Sequence, residues 1–214
     1  MTLRRALGVS AGDLYHQAWR LMVLNVLLGA ALLVVVLAAI ALRPAVLLAV
    51  LIGPLVAAVM HCAVILAQTE ELRLAEALTG LRRHWRRGLL LGIALAVAFG
   101  VGAVVVPFYA HAGTWAWPFA ALSVYLLLVY GVFQLVLWPM AVFDVQQPMR
   151  SVVRDAARAF LRRPFGFLGL GLALLVVNVV GVAAAIIPFL TLTIAYSFLV
   201  AAHFTLPKNP AREA

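Results

Sequence analysis

The sequence predicts an all-α integral membrane protein: six transmembrane helices arranged as three helical hairpins, each preceded by a cytoplasmic amphipathic interfacial helix. Three observations carry this fold class. Of 214 residues, 66% are hydrophobic and only 11% charged, and mean hydropathy is +1.12, whereas soluble domains are ~45–50% apolar. Stretches free of Asp, Glu, Lys and Arg recur along the chain, long enough to cross a ~30 Å hydrocarbon core, which takes roughly 20 helical residues. The basic residues gather on alternate connections between those stretches.

The first two charge-free stretches give spans at about 21–42 and 44–68, and the next two give spans at about 89–108 and 119–143. The last run, Pro164 to Pro207, is too long for one crossing, and Pro188 in "AIIPFLT" divides it. Proline removes a backbone donor and breaks a helix, so spans are expected at about 165–186 and 189–206. Gly53, Pro54 and Pro139 are the other expected kinks, and the Gly88-x-x-x-Gly92 spacing permits close helix contact.

Fifteen of the sixteen basic residues precede the first span, follow the last, or lie in the connections after the second and fourth spans; only Arg43 falls on the other side. The positive-inside rule then places both termini and both long connections in the cytoplasm of a plasma membrane. Trp115 and Trp117 stand in the short connection opposite, where an interfacial aromatic belt belongs. A net charge of +9 would otherwise suggest nucleic acid, but topology accounts for its placement and no nucleic-acid partner is expected. The apolar run of the first span is much longer than the 7–15 residues of a signal peptide, so it is expected to stay as an anchor.

Amphipathic helices are expected at about 10–20, 70–87 and 148–163. The last is the clearest: Met149, Val152, Val153, Ala156, Ala157, Phe160 and Leu161 recur at helical period. Arg150, Arg154, Arg158 and Arg162 run along its rim at intervals of four. Such a helix lies in the membrane interface with its cations on lipid phosphates, or packs on the bundle with its arginines simply solvated. Arg82 and Arg86 repeat the arrangement before the third span, and Trp19-Arg20 before the first. The expected partner is thus a bilayer with anionic headgroups, alongside a homo-oligomer or a transporter subunit.

Chemistry is scarce. All seven acidic residues fall in cytoplasmic segments, so the spans lack the positioned titratable groups that acid–base catalysis needs, apart from histidine, and no intramembrane charge is present for ion coupling. Cys62 is the only cysteine, which excludes a disulfide framework. His61 and His203 have no paired ligand spacing, so neither metal nor cofactor is assigned and no enzyme activity is expected. Asn25, His61, Gln134 and Asn178 are the candidates for a polar pathway for a neutral solute. On the other reading they are interhelical hydrogen bonds, worth ~0.6–2 kcal/mol each.

The segments "GPLVAAVMHCAVILAQTEELRLAEALTGLRRHWRRGLLLG" (Gly53 to Gly92) and "WPMAVFDVQQPMRSVVRDAARAFLRRPFG" (Trp138 to Gly166) resemble the YesL-like bacterial membrane proteins. The likeness lies in a Gly-Pro in the second span, a short acidic link, and an amphipathic helix before the next span. The resemblance implies an association with carbohydrate breakdown and binding-protein-dependent sugar uptake, and it supplies no catalytic residue. Two function classes follow: a transport-related protein, as passive pathway or accessory subunit, and a scaffold or lipid-responsive regulator working through its amphipathic helices.

Overall fold

The computed structural model describes residues 2–41, 50–69, 72–184 and 193–207, and among these the chain is all helical. Among the described residues eight α-helices follow one another: α1 (Leu3–His16), α2 (Ala18–Ala41), α3 (Ile52–Thr69), α4 (Ala75–His111), α5 (Trp117–Phe143), α6 (Met149–Arg162), α7 (Pro164–Ala184) and α8 (Ile194–Thr205). Four of them are long and apolar enough to cross a membrane, or five if α1 and α2, bent by 96° at their junction, form one broken span. The fold is therefore compatible with a multi-pass membrane bundle. α8, although apolar, has only 12 residues, fewer than the roughly 20 of a full crossing. Pro188 and Arg43 lie outside the described residues.

α3 is the hub. Its residues from Ala57 to Ala67 are almost all buried, enclosed by α4, α8, α5 and α2. Small side chains make this possible. Gly53 stands against Gly88 and Gly92, and Gly88 against Pro54 and Ala57, at distances that leave no room for a methyl group; Gly80 likewise lies against His61. Helices meeting at glycine approach backbone to backbone, which maximises dispersion contact where lipid provides no hydrophobic drive.

This ladder changes the expected architecture. The amphipathic stretch 70–87 and the span 89–108 are not separate elements: from Ala75 to His111 they form one unbroken helix of 37 residues, about 55 Å long at 1.5 Å per residue. Gly88, the one residue that could have ended the amphipathic part, costs only ~1 kcal/mol inside a helix and instead supplies the contact with α3. Consequently the first half of α4 runs antiparallel beside α3 rather than away from it. Gly53 and Pro54, expected to kink a span, stand in the first turn of α3, where the missing proline N–H has no intrahelical partner to lose. Pro139 lies within α5, and Pro107 within α4.

The second half of α4 turns back into α5 through Gly113, whose φ of +105° only glycine adopts without strain, and the 3-10 turn Thr114–Ala116. Tyr109 stacks on Phe119 across this turn. At the other end α6 lies against α5, and an aromatic chain of Phe133, Phe160, Phe167 and Phe204 joins α5, α6, α7 and α8.

Candidate functional site

α6 carries the most distinctive surface. Val152 and Ala156 are fully buried, and Phe160 meets the rings of Phe133 and Phe167, so one edge of the apolar face is spent on the bundle. The other edge is left open: Val153 is exposed, Leu161 is 74% exposed and Phe165, just past the helix, 86%. Arg150, Arg154, Arg158 and Arg162 are all exposed beside it. Asp155 partners Arg154 at 3.8 Å and Arg158 at 3.3 Å, pairs too exposed to be worth more than a fraction of a kcal/mol. Arg82 and Arg86 are exposed as well, and Arg86 and Arg20 each lie over a neighbouring tryptophan, Trp85 at 5.4 Å and Trp19 at 5.3 Å.

Two arginines have a different task. Arg87 donates through Nη1 to the carbonyls of Ala141 (2.8 Å) and Asp144 (2.7 Å), and through Nη2 to those of Val145 (2.6 Å) and Gln147. It thereby caps the end of α5, whose last carbonyls have no helical partner, and fixes the link into α6. Arg20 does the same one hairpin earlier, donating to the carbonyl of Leu72 and to Gln17 Oε1. In each case an arginine of one helix, Arg20 of α2 or Arg87 of α4, holds the link that follows the next helix, α3 or α5. In the sequence Arg87 stands only as topological charge and Arg20 only as part of the Trp19-Arg20 repeat, and neither capping role is visible there.

The four expected pathway residues are distributed, and among the described residues no hydrogen bond joins any two of them. Asn178 donates to Ser197 Oγ at 2.9 Å and to its own helix at Leu174 O, tying α7 to α8. His61 packs its ring 4.8 Å from that of His84, with Glu76 at 4.0 Å. Asn25 is fully buried and its amide has no protein partner. Gln134, 5% exposed, has a buried amide whose polar neighbour is the Tyr130 hydroxyl one turn earlier. Gln134 lines a cavity of about 560 Å³ between α3, α4, α5 and α8 whose other walls are apolar.

His84 was not singled out in the sequence. It is fully buried, both ring nitrogens lack a partner, and it precedes the apolar stretch that starts at Leu89. Burial first, then the neighbouring charges of His61, Arg83 and Arg87, hold its pKa down at about 4. His203, the other histidine considered for a metal, pairs instead with Asp13 at 2.8 Å and joins α8 to α1. Among the described residues no three His, Cys, Asp or Glu side chains converge as a metal site.

These features define a class, an all-helical bundle with four or five helices apolar enough to cross a membrane, compatible with a multi-pass membrane protein. Compared with known protein families, curated proteins and solved structures, the chain matches none.

Proposed function

We propose that the chain is a non-enzymatic, multi-pass protein of the bacterial cytoplasmic membrane that works as a lipid-engaging scaffold, with the arginine face of α6 as its working surface. The observation that carries this reading is the division of α6, with one apolar edge packed and the other open beside four like charges. A helix merely docked on protein gains nothing from Leu161 and Phe165 in water. An anionic headgroup layer accommodates both, burying the apolar edge and attracting each arginine by ~1 kcal/mol.

The proposed topology has six spans with both termini cytoplasmic, on the strength of the charge distribution. The α3–α4 ladder supports a refinement. Gly80 lies against His61 and Gly88 against Ala57, so Arg82, Arg83, Arg86 and Arg87 run beside α3 between about Ala57 and His61. A charge at the centre of a bilayer costs ~2.5–3.5 kcal/mol or more, so α3 from about Ala57 onward leaves the hydrocarbon together with them. Kinship with the YesL-like proteins rests on the two quoted segments alone. A second reading, a transport-related role beside carbohydrate uptake, draws on the cavity at Gln134, although one amide offers little to a solute bearing many hydroxyls.

Native mass spectrometry of the protein released from membranes tests the scaffold reading. The wild type should retain anionic phospholipid, and the variant with Arg150, Arg154, Arg158 and Arg162 changed to Gln should lose it. Equal retention by both would remove the basis for α6 as a lipid surface, and flux of a neutral sugar in proteoliposomes would favour the transport reading instead.

A further inference from the structure

The cavity between α3, α4, α5 and α8 is built in an unusual way. Three glycines, Gly53, Gly92 and Gly131, contribute to its walls, together with Phe99, Trp138 and Phe198. Its volume of about 560 Å³ falls within the range of small-molecule sites. Gln134 lines it with a buried amide, and the Tyr130 hydroxyl one turn earlier can satisfy only one of its two ends, leaving a donor or an acceptor over. Native structures rarely leave a buried amide unpaired. The terminal torsion of glutamine is broad, so the amide can turn toward whatever occupies the space.

We propose that this cavity binds a neutral lipophilic molecule whose single carbonyl or hydroxyl group pairs with the Gln134 amide. The walls exclude other ligand classes. They contain no charged side chain to hold an ion and too few polar atoms for a sugar. Depth separates a free amphiphile from an ordinary phospholipid. Gln134 is seven residues along α5 from Ala141, whose carbonyl Arg87 holds at the basic end, so its amide sits about 10 Å further along the helix. The ester carbonyls of a phospholipid are tied to the headgroup layer, whereas a free lipophilic molecule carries its polar group down to that level. The depth argument rests on the basic end marking the cytoplasmic interface, as proposed above, but it does not depend on α6 acting as a scaffold.

Trp138 in the cavity wall provides the readout. The full-length protein with Trp19, Trp85, Trp115 and Trp117 changed to Phe is placed in phosphatidylcholine nanodiscs. It is then titrated with a chain-brominated long-chain methyl ketone or with the brominated alkane of the same length, bromine being a contact quencher of indole. Quenching by the ketone should saturate, at a concentration lower than the alkane needs by about tenfold, the upper range of one hydrogen bond. Gln134→Leu should erase that difference. Gly131→Leu should reduce quenching by both probes, and because a Cβ at Gly131 meets nothing within 4 Å and leucine is the better helix former, its thermal unfolding midpoint should be no lower than the parent's. In a third arm, discs of chain-brominated phosphatidylcholine, the unbrominated ketone should relieve quenching of Trp138. Equal quenching by ketone and alkane, a preference that survives Gln134→Leu, or phospholipid quenching that the ketone cannot relieve would each overturn the proposal, the last by showing that ordinary acyl chains fill the cavity.

Discussion

Replacing Gly53 with alanine tests whether α3 and α4 really meet backbone to backbone. A methyl group at Gly53 would run into the carbonyl oxygen of Gly88 and stand 3.0 Å from Gly92 Cα; one at Gly88 would stand 2.8 Å from both Gly53 O and Pro54 Cα. Both obstacles are backbone, which no rotamer change can relieve, so the two helices must separate. Overpacking of this kind costs ~1–3 kcal/mol, while Gly→Ala returns up to ~1 kcal/mol of helix propensity. Gly100, also within α4, meets nothing within 4 Å and reports the propensity gain alone. Gly53→Ala, set in the first turn where propensity matters least, should lower stability by about 2 kcal/mol, equivalent to roughly 4–8 °C in the midpoint for a chain of this size. Gly88→Ala should fall between this and the control, and Gly100→Ala should be neutral or stabilising. The assay is thermal unfolding in one detergent with all three variants side by side. If Gly53→Ala and Gly88→Ala behave like Gly100→Ala, the contact is absent and the first half of α4 does not lie along α3.

Three further outcomes are expected. His84 has a folded pKa near 4, below the ordinary 6.5, so the unfolded chain binds the proton more readily: stability should be unaffected above pH 6.5 and fall as pH drops toward 4, by up to ~3 kcal/mol. His84→Phe should flatten that part of a stability–pH profile. Arg87→Gln should cost about 2–4 kcal/mol, since hydrogen bonds to a charged group are worth ~1.5–3 kcal/mol each and do not add fully, and limited proteolysis should then cut between Asp144 and Pro148, where the parent resists. Asn178→Leu breaks the link to Ser197 and should lower the unfolding midpoint by the equivalent of ~0.6–2 kcal/mol, whereas Val179→Leu on the neighbouring exposed face should leave it unchanged.

How much of this was legible in the sequence depends on the range of the interaction concerned. α6 is written in its own period: the apolar spacing from Met149 to Leu161 and the arginines at intervals of four are local, and local spacing fixes a helix and its faces. Which part of the apolar face would be packed is not local, because Val152 and Ala156 are buried by α5 while Leu161, on the same nominal face, is not. The continuity of α4 was missed for the same reason. A glycine after a run of arginines reads as a boundary, and only the presence of Gly53 opposite makes Gly88 a contact instead. Arg87 and His84 were passed over because the carbonyls that receive one and the histidine that crowds the other lie far along the chain. Gln134 and Asn178 looked alike as polar residues in apolar runs; the structure separates them by whether a neighbour such as Ser197 happens to face the amide.

The central claim is that the bundle crosses a bilayer with its basic end, including α6 and the first half of α4, inside. The 25 residues from Arg87 to His111 rise about 36 Å, enough to put the turn after α4 on the far side of a ~30 Å core. With Cys62, the sole cysteine, changed to alanine, single cysteines are introduced at Thr114, Thr79 and Arg158, all exposed, and intact cells are treated with a membrane-impermeant thiol reagent. The account expects labelling at position 114 alone, with 79 and 158 reached only after permeabilisation. Labelling of 79 or 158 in intact cells, or protection of 114, would contradict it.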